Sequence, residues 1–376
     1  MTRNGGAPTN LPEPPPPKPP PARYTRNMTA HLNAIGTAVP GHDIHAAFIA
    51  WARARLPERE QKLFDRMSAR AGITHRWSVL PDTHGSPVDP SGFYAIEPHP
   101  GTAERMAIYA EAAPALALAA IDDLAARTPL GDITHLVVAS CTGFVAPGID
   151  QIIAARLGLP PSVERLLVGF MGCYAAVAAL RSARHIVRSE PDARVLVVTI
   201  ELSTLHLQAI DKLEPLLAML QFGDGAAAAL VTAEPHGFAI ERPFATTLAD
   251  SAELIRWNIT DQGFAMHLSG EVPGRIATAL SDPALVATLT GGGTPDGWAV
   301  HAGGRSILDA VEHALGLDAA TLSASRSVLA ANGNMSSATL MFILARLLGG
   351  ETIAHGVALA FGPGLAAEGF GFRSAR

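Results

Sequence analysis

Short apolar runs alternate with longer Ala- and Leu-rich stretches along most of the chain. Residues 134–140, 165–170, 194–200, 226–232, 297–301, 327–331 and 356–361 are brief and rich in Val, Ile, Leu and Ala, which predicts buried strands. Another strand is predicted over 31–39, just after Met28. Between them, residues 103–127, 175–188, 305–315 and 337–348 carry apolar positions at helical spacing. Strands alternating with helices predict an α/β chain with its sheet covered on both faces. Pro235 and Gly237 interrupt the pattern and a fresh run starts at Phe238, which predicts two halves, residues 28–236 and 237–376.

Residues 1–27 follow no such period. Prolines crowd between Pro8 and Pro21, so this segment is expected to be a disordered or polyproline tail outside the packed fold. The remainder is apolar: of 376 residues, 48% are hydrophobic and 16% charged, which excludes disorder of the whole and suits an oligomer that hides further surface. A net charge of −6 argues against a nucleic-acid partner. Two cysteines make no disulfide framework, and without a CxxC or HExxH pair no metal site is expected. No uninterrupted apolar run reaches the roughly 20 residues of a membrane span. The N-terminus has no apolar signal region, so a cytoplasmic protein is expected.

Three segments share one design, an apolar run, a turn of small residues and then a helix, with a reactive or polar side chain at the turn. In LLVGFMGCYAAVAAL, Cys173 opens an Ala-rich helix, where unpaired amides and the helix dipole favour a thiolate. The alternative is a small core cysteine. In GWAVHAGGRSIL, His301 ends a strand beside Gly303 and Gly304, which let a ligand approach closely. Asn334 follows the run SVLAAN and precedes a helix capped by Ser336 or Ser337; alone, it could be turn chemistry. Together, Cys, His and Asn at strand ends can converge at one sheet edge. There they would supply an activated nucleophile and two donors for an oxyanion. A papain-like protease also uses Cys, His and Asn in that order, but GFMGCYAA does not match its cysteine signature.

The segments GFMGC, QFGDGAAAAL, WAVHAGGRSILDAVE, GNMSSATLMFIL and GVALAFGPGL, in this order, resemble the type III polyketide synthases, the chalcone and stilbene synthase family; CTGFVAPGID resembles its bacterial branch. The resemblance implies a thiolase-like layered αβαβα fold made of two related halves and a homodimer. It also implies an enzyme that takes an acyl-CoA starter and malonyl-CoA with no cofactor. Cys173 would carry the acyl chain and form an ion pair with His301. His301 and Asn334 would stabilise the enolate left by decarboxylation. A ketoacyl-ACP synthase III-like enzyme, making one condensation, is the alternative within the superfamily.

For the cavity, the resemblance makes Phe222 a gatekeeper and puts Met266 where plant relatives carry a second phenylalanine. Ser203, His206, Trp257 and Ser336 would shape the floor and Cys141 the wall. His206 and Trp257 are large for these positions and should disfavour a bulky aromatic starter. Lys62, Arg66 and Arg70 would hold the CoA phosphates, with Gly303, Gly304 and Ser306 along the pantetheine arm. An alkylpyrone, alkylresorcinol or small polyhydroxy aromatic is the expected product.

Overall fold

The computed structural model describes residues 28–81, 88, 92–95 and 99–375, so the expected tail, 1–27, lies outside the described residues. Among the described residues nine strands form one sheet: β1 (His31–Ala38), β2 (His135–Ser140), β3 (Glu164–Gly169), β4 (Val195–Leu202), β5 (Asp224–Thr232), β6 (Phe238–Thr247), β7 (Gly297–Val300), β8 (Gly356–Gly362) and β9 (Ala366–Ser374). Their order is β7-β8-β9-β6-β1-β5-β4-β2-β3. The sheet is narrowest where β1 meets β6, through His31 opposite Ala239 and Leu32 opposite Phe238. Outward from that joint the order is β1-β5-β4-β2 in one half and β6-β9-β8-β7 in the other. In both, the first two pairings are antiparallel from the joint strand outward, with β2–β4 and β7–β8 parallel. The chain therefore uses one strand plan twice.

The main helices are α1 (Thr102–Arg127), α2 (Ala175–Ser189), α3 (Arg305–Leu315), α4 (Ser323–Asn332) and α5 (Ser337–Leu348). α2 and α5 lie between the half-sheets. Their Ala176, Leu180, Met341 and Leu344 share one core with Val197 and Ala229 of the first half and Ala358 and Phe370 of the second. α1 covers the outer face of the first half, and α3 and α4 lie outside the second. This is the αβαβα layering. Alanine is frequent because helix and sheet approach closely: a Cβ on Gly36 of β1 would come within 2.2 Å of the Leu124 amide nitrogen on α1.

One predicted strand is wrong: residues 327–331 lie within α4. A short run with four apolar residues, 328–331, does not distinguish a strand from one side of a helix, and here Val328 and Leu329 reach the core while Arg326 turns to Asp309 and Glu312. In the repeated plan, α4 occupies the chain position that β3 holds in the first half. An antiparallel hairpin, Ile255–Thr260 with Gly263–Leu268, was not predicted, and it carries Trp257 and Met266. Among the described residues no helix is long and apolar enough to cross a membrane.

Candidate active site

Cys173 sits in one turn of 3₁₀ helix, Gly172–Tyr174, which links β3 to α2. Gly172 has φ 72° and packs on Pro363, where a Cβ would come within 2.5 Å of the ring. Glycine is thus needed immediately before the cysteine, both for its backbone and for its lack of a side chain. Ser336 Oγ lies 3.7 Å from Cys173 Sγ as a donor. Ser336 itself holds a left-handed backbone, φ 47°, and is wholly buried.

His301 follows β7 directly, continuing its pairing through an N–H that donates to the Leu359 carbonyl at 2.8 Å. The ring is buried, and among the described residues neither Nδ1 nor Nε2 has a hydrogen-bond partner. Two buried, unsatisfied ring nitrogens are costly unless a ligand uses them. Asn334 is held on both sides by backbone bonds: its N–H donates to Gln221 O at 2.7 Å and its carbonyl accepts from Gly223 N at 3.1 Å. Its side-chain Oδ1 accepts from Ser336 N at 2.8 Å, which fixes the amide orientation. One Nδ2 hydrogen then goes to Gly303 O at 3.1 Å. Asn334 follows a helix, not the strand expected of it, yet the Phe222–Asn334 bridge seats it beside the other two.

These three residues line one cavity of about 920 Å³. Gly303, Gly304, Ser306 and Arg70 line it as well, with Arg305. Lys62 and Arg66 are exposed on the helix Glu58–Arg70 and do not line it. Phe222 and Met266 face both this cavity and a smaller chamber of about 60 Å³, whose walls include Ser203, His206 and Trp257. His206 stacks on Phe264 with centroids 4.1 Å apart. Its Nε2 donates to the Thr142 carbonyl at 2.7 Å and its Nδ1 accepts from Phe264 N at 3.1 Å, so the ring is satisfied and neutral. Cys141, expected on the cavity wall, lies behind it instead: it lines neither space and touches Glu201 and Ser336, each at 3.3 Å. Ser336, expected on the floor, likewise lines neither and sits between the two cysteines.

Burial decides the charges. Cys173 keeps some accessible surface toward the cavity, but its thiol lies deep and burial pushes it up to about 12, with the polar side chains of Ser336 and Asn334 opposing the shift. His301 is pushed down to about 3 by burial. Both shifts favour neutral forms, and the two side chains share no hydrogen bond here, so the ion pair implied by the resemblance is not formed in this arrangement. A neutral imidazole remains a base able to take the thiol proton as attack proceeds.

The sequence reading missed Glu201, near the end of β4 and wholly buried. It accepts hydrogen bonds from Cys141 N at 3.0 Å, Thr142 Oγ1 at 2.9 Å and Ser337 Oγ, and burial pushes its carboxyl up to about 7. A lone acid closing the apolar run VLVVTI was the available signal. Arg76 was also missed. It is buried, donates to Phe222 O at 2.8 Å and so braces the segment that carries Phe222. Arg305 lines the cavity too, with its guanidinium 3.6 Å from the Asp309 carboxylate.

The chain is similar to known proteins over most of its length. Residues 22–235 match the family description "Chalcone and stilbene synthases, N-terminal domain", and residues 240–376 match its C-terminal counterpart. The Mycobacterium tuberculosis protein named alpha-pyrone synthesis polyketide synthase-like Pks18 is 35% identical over 286 residues, 72% of each chain. Bisdemethoxycurcumin synthase of Oryza sativa subsp. japonica is 34% identical over 339 residues, 83% of this chain and 82% of the other. Among solved structures, the C-terminal type III polyketide synthase domain of Steely1 from Dictyostelium superposes with a TM-score of 0.84 at 26% identity, covering 93% of this chain and all of that one. CsyB, solved in complex with CoA-SH, gives 0.79 at 25% identity, covering 92% of this chain and 100% of its own.

Proposed function

Since the chain belongs to the chalcone and stilbene synthase family, and so is a type III polyketide synthase and an acyltransferase, we propose that it extends an acyl-CoA starter by iterative decarboxylative condensation with malonyl-CoA on Cys173. The observation that carries this reading is the convergence of Cys173, His301 and Asn334 on one cavity, with both His301 ring nitrogens unsatisfied. His301 takes the Cys173 proton, and the sulfur attacks the starter thioester. CoA leaves with that proton, and the acyl group rests on Cys173. Malonyl-CoA then enters with its thioester carbonyl against the His301 N–H and the Asn334 amide. Loss of CO2 leaves an enolate on that oxygen, and two fixed neutral donors stabilise it by several kcal/mol away from water. The enolate carbon attacks the acyl-Cys173 carbonyl, the cysteine sulfur leaves, and the longer chain, now on CoA, returns to Cys173.

The CoA moiety is read as running past Gly303, Gly304 and Ser306 to Arg70 and Arg305; Lys62 and Arg66 would meet its phosphates only at the outer surface. His206 and Trp257 are bulky walls of the smaller chamber of about 60 Å³, which favours a slim aliphatic starter or malonyl-CoA itself over a bulky aromatic one. An alkylpyrone is the preferred product, in keeping with the name of the mycobacterial relative; an alkylresorcinol or small polyhydroxy aromatic are the other ring closures. The reaction needs no cofactor beyond the CoA thioesters, and a cytoplasmic setting suits its substrates. Residues 28–236 and 237–376 are read as two halves, the first carrying Cys173 and the second His301 and Asn334. We read the assembly as a homodimer: β3 is an edge strand whose Leu166 and Leu167 are each 42% exposed, and Phe144, beside Gly169 at the end of that strand, is 44% exposed. A monomeric mass by light scattering at micromolar concentration would contradict that.

Product analysis tests the reaction. Purified protein receives labelled malonyl-CoA and a panel of short, long and aromatic acyl-CoA starters, without acyl carrier protein. Products with two or more malonyl-derived units are expected. One condensation per starter, or turnover only after acyl carrier protein is added, would favour the ketoacyl-synthase alternative.

A further inference from the structure

At the edge of the sheet opposite Cys173, three side chains from separate elements meet. His135 opens β2, Glu164 opens the parallel strand β3 directly opposite it, and Glu190 follows the last residue of α2. One ligand-capable atom from each lies within 4.8 Å of the other two. The three line a pocket of about 320 Å³. His135 is 6% exposed. Its Nε2 is aimed at the two carboxylates, 3.7 Å from Glu164 and 4.0 Å from Glu190, too far for a hydrogen bond to either.

The other side of the ring fixes what Nε2 offers. Thr134 Oγ1 lies 2.8 Å from His135 Nδ1 and 3.2 Å from the Arg194 carbonyl. A hydroxyl proton directed to that carbonyl leaves Thr134 Oγ1 as the acceptor for Nδ1–H. In the neutral ring with that tautomer, Nε2 presents a lone pair toward the two carboxylates. A cation between them removes that conflict, and an anchored second nitrogen is the usual support of a metal-binding histidine. Among the described residues neither carboxylate is paired with lysine or arginine; the nearby Arg165 is bound to Asp150 at 2.7 Å.

We propose that His135, Glu164 and Glu190 bind a divalent first-row transition ion, with water completing its shell. Imidazole plus carboxylate suits zinc and its neighbours and disfavours magnesium and calcium. Bonds of about 2.0–2.2 Å put neighbouring ligand atoms about 3.3 Å apart, so a small closure of the two carboxylates suffices. In the single chain those side chains are 73% and 59% exposed, with room to make it. The ion would staple the starts of β2 and β3 to the far end of α2, the helix that begins behind Cys173. No local ligand motif could reveal this site, because its members are 29 and 26 residues apart in sequence. The site does not depend on the proposed reaction.

The test is calorimetric titration of chelator-treated, dialysed full-length protein with Zn2+ at pH 7, with thermal unfolding in parallel. One ion per chain is expected, with a raised unfolding temperature and no response to Mg2+. Glu164→Gln and Glu190→Gln should each weaken binding at least tenfold, His135→Ala should abolish it, and Cys173→Ala should leave it unchanged. The two glutamine variants change exposed side chains, so they keep the test intact even if the buried alanine variant misfolds. Absence of stoichiometric binding, or unchanged affinity in both glutamine variants, would overturn the site.

Discussion

Glu201→Gln isolates the cost of a buried carboxylate beside the nucleophile. The amide can keep the same contacts. Its oxygen takes the place of Oε2, which accepts from Cys141 N and Sγ and Thr142 Oγ1; its nitrogen takes the place of Oε1 and donates to Ser337 Oγ. What changes is titration. In the folded chain the Glu201 carboxyl is pushed up to about 7 from an ordinary 4.5, chiefly by burial. A raised carboxyl confers its full stability below the unfolded value. As pH rises between the two values, the unfolded chain ionises first and stability is lost, at about 1.4 kcal/mol per pH unit. The loss is about 3 kcal/mol between pH 4.5 and 8 and is flat above that. Asp224, pushed up to about 7 by the same cause, titrates in both proteins and cancels in their difference. With an unfolding entropy of about 0.7 kcal/mol/K for a chain of this size, the variant should gain about 4 °C on wild type between pH 4.5 and 8. Scanning calorimetry at one scan rate and both pH values measures it. An equal midpoint difference at the two pH values would refute the argument from burial.

Cys173→Ala should lower product formation at least about 10³-fold while the protein remains folded, read by product assay and circular dichroism. Asn334→Ala removes one of two enolate donors and should lower kcat by about 10²–10³, yet leave starter transfer to Cys173 intact in a single-turnover experiment. If acylation falls equally, Asn334 mainly holds the loop. Trp257→Gly removes a ring that packs edge-on to His206 and Phe222 in the smaller chamber. It should raise kcat/KM for a bulky aromatic starter relative to a short aliphatic one by about tenfold, measured by competition. An unchanged ratio would mean that this chamber does not select the starter.

Much of the sheet was legible because many of its strands are buried on both faces and read as unbroken apolar runs: residues 134–140 enclose β2, and residues 226–232 cover all of β5 but its first two residues. The run 327–331 deceived because its four apolar residues fit a strand and a helix alike, and the repeat breaks down at that point. Cys173, His301 and Asn334 were legible as turn residues between apolar runs and helices. Their charge state was not. Position at a helix start suggested a lowered thiol, but burial acts more strongly in the fold and pushes it up. Cys141 and Ser336 were assigned by position to the cavity surface. Placement by chain position does not tell which layer of side chains faces the cavity, and here these two form the layer behind. Glu201 and Arg76 gave little signal because a buried charge is recognised by partners that lie far off in sequence.

The central claim is that Cys173 carries the growing chain. Purified enzyme would be mixed with an acyl-CoA starter in the absence of malonyl-CoA, quenched in acid, digested and sequenced by mass spectrometry. The account predicts one acyl group on the peptide containing Cys173, absent from Cys173→Ala and discharged when malonyl-CoA is added before the quench. An acyl group on Cys141 instead, or no adduct in an enzyme that still forms product, would contradict it.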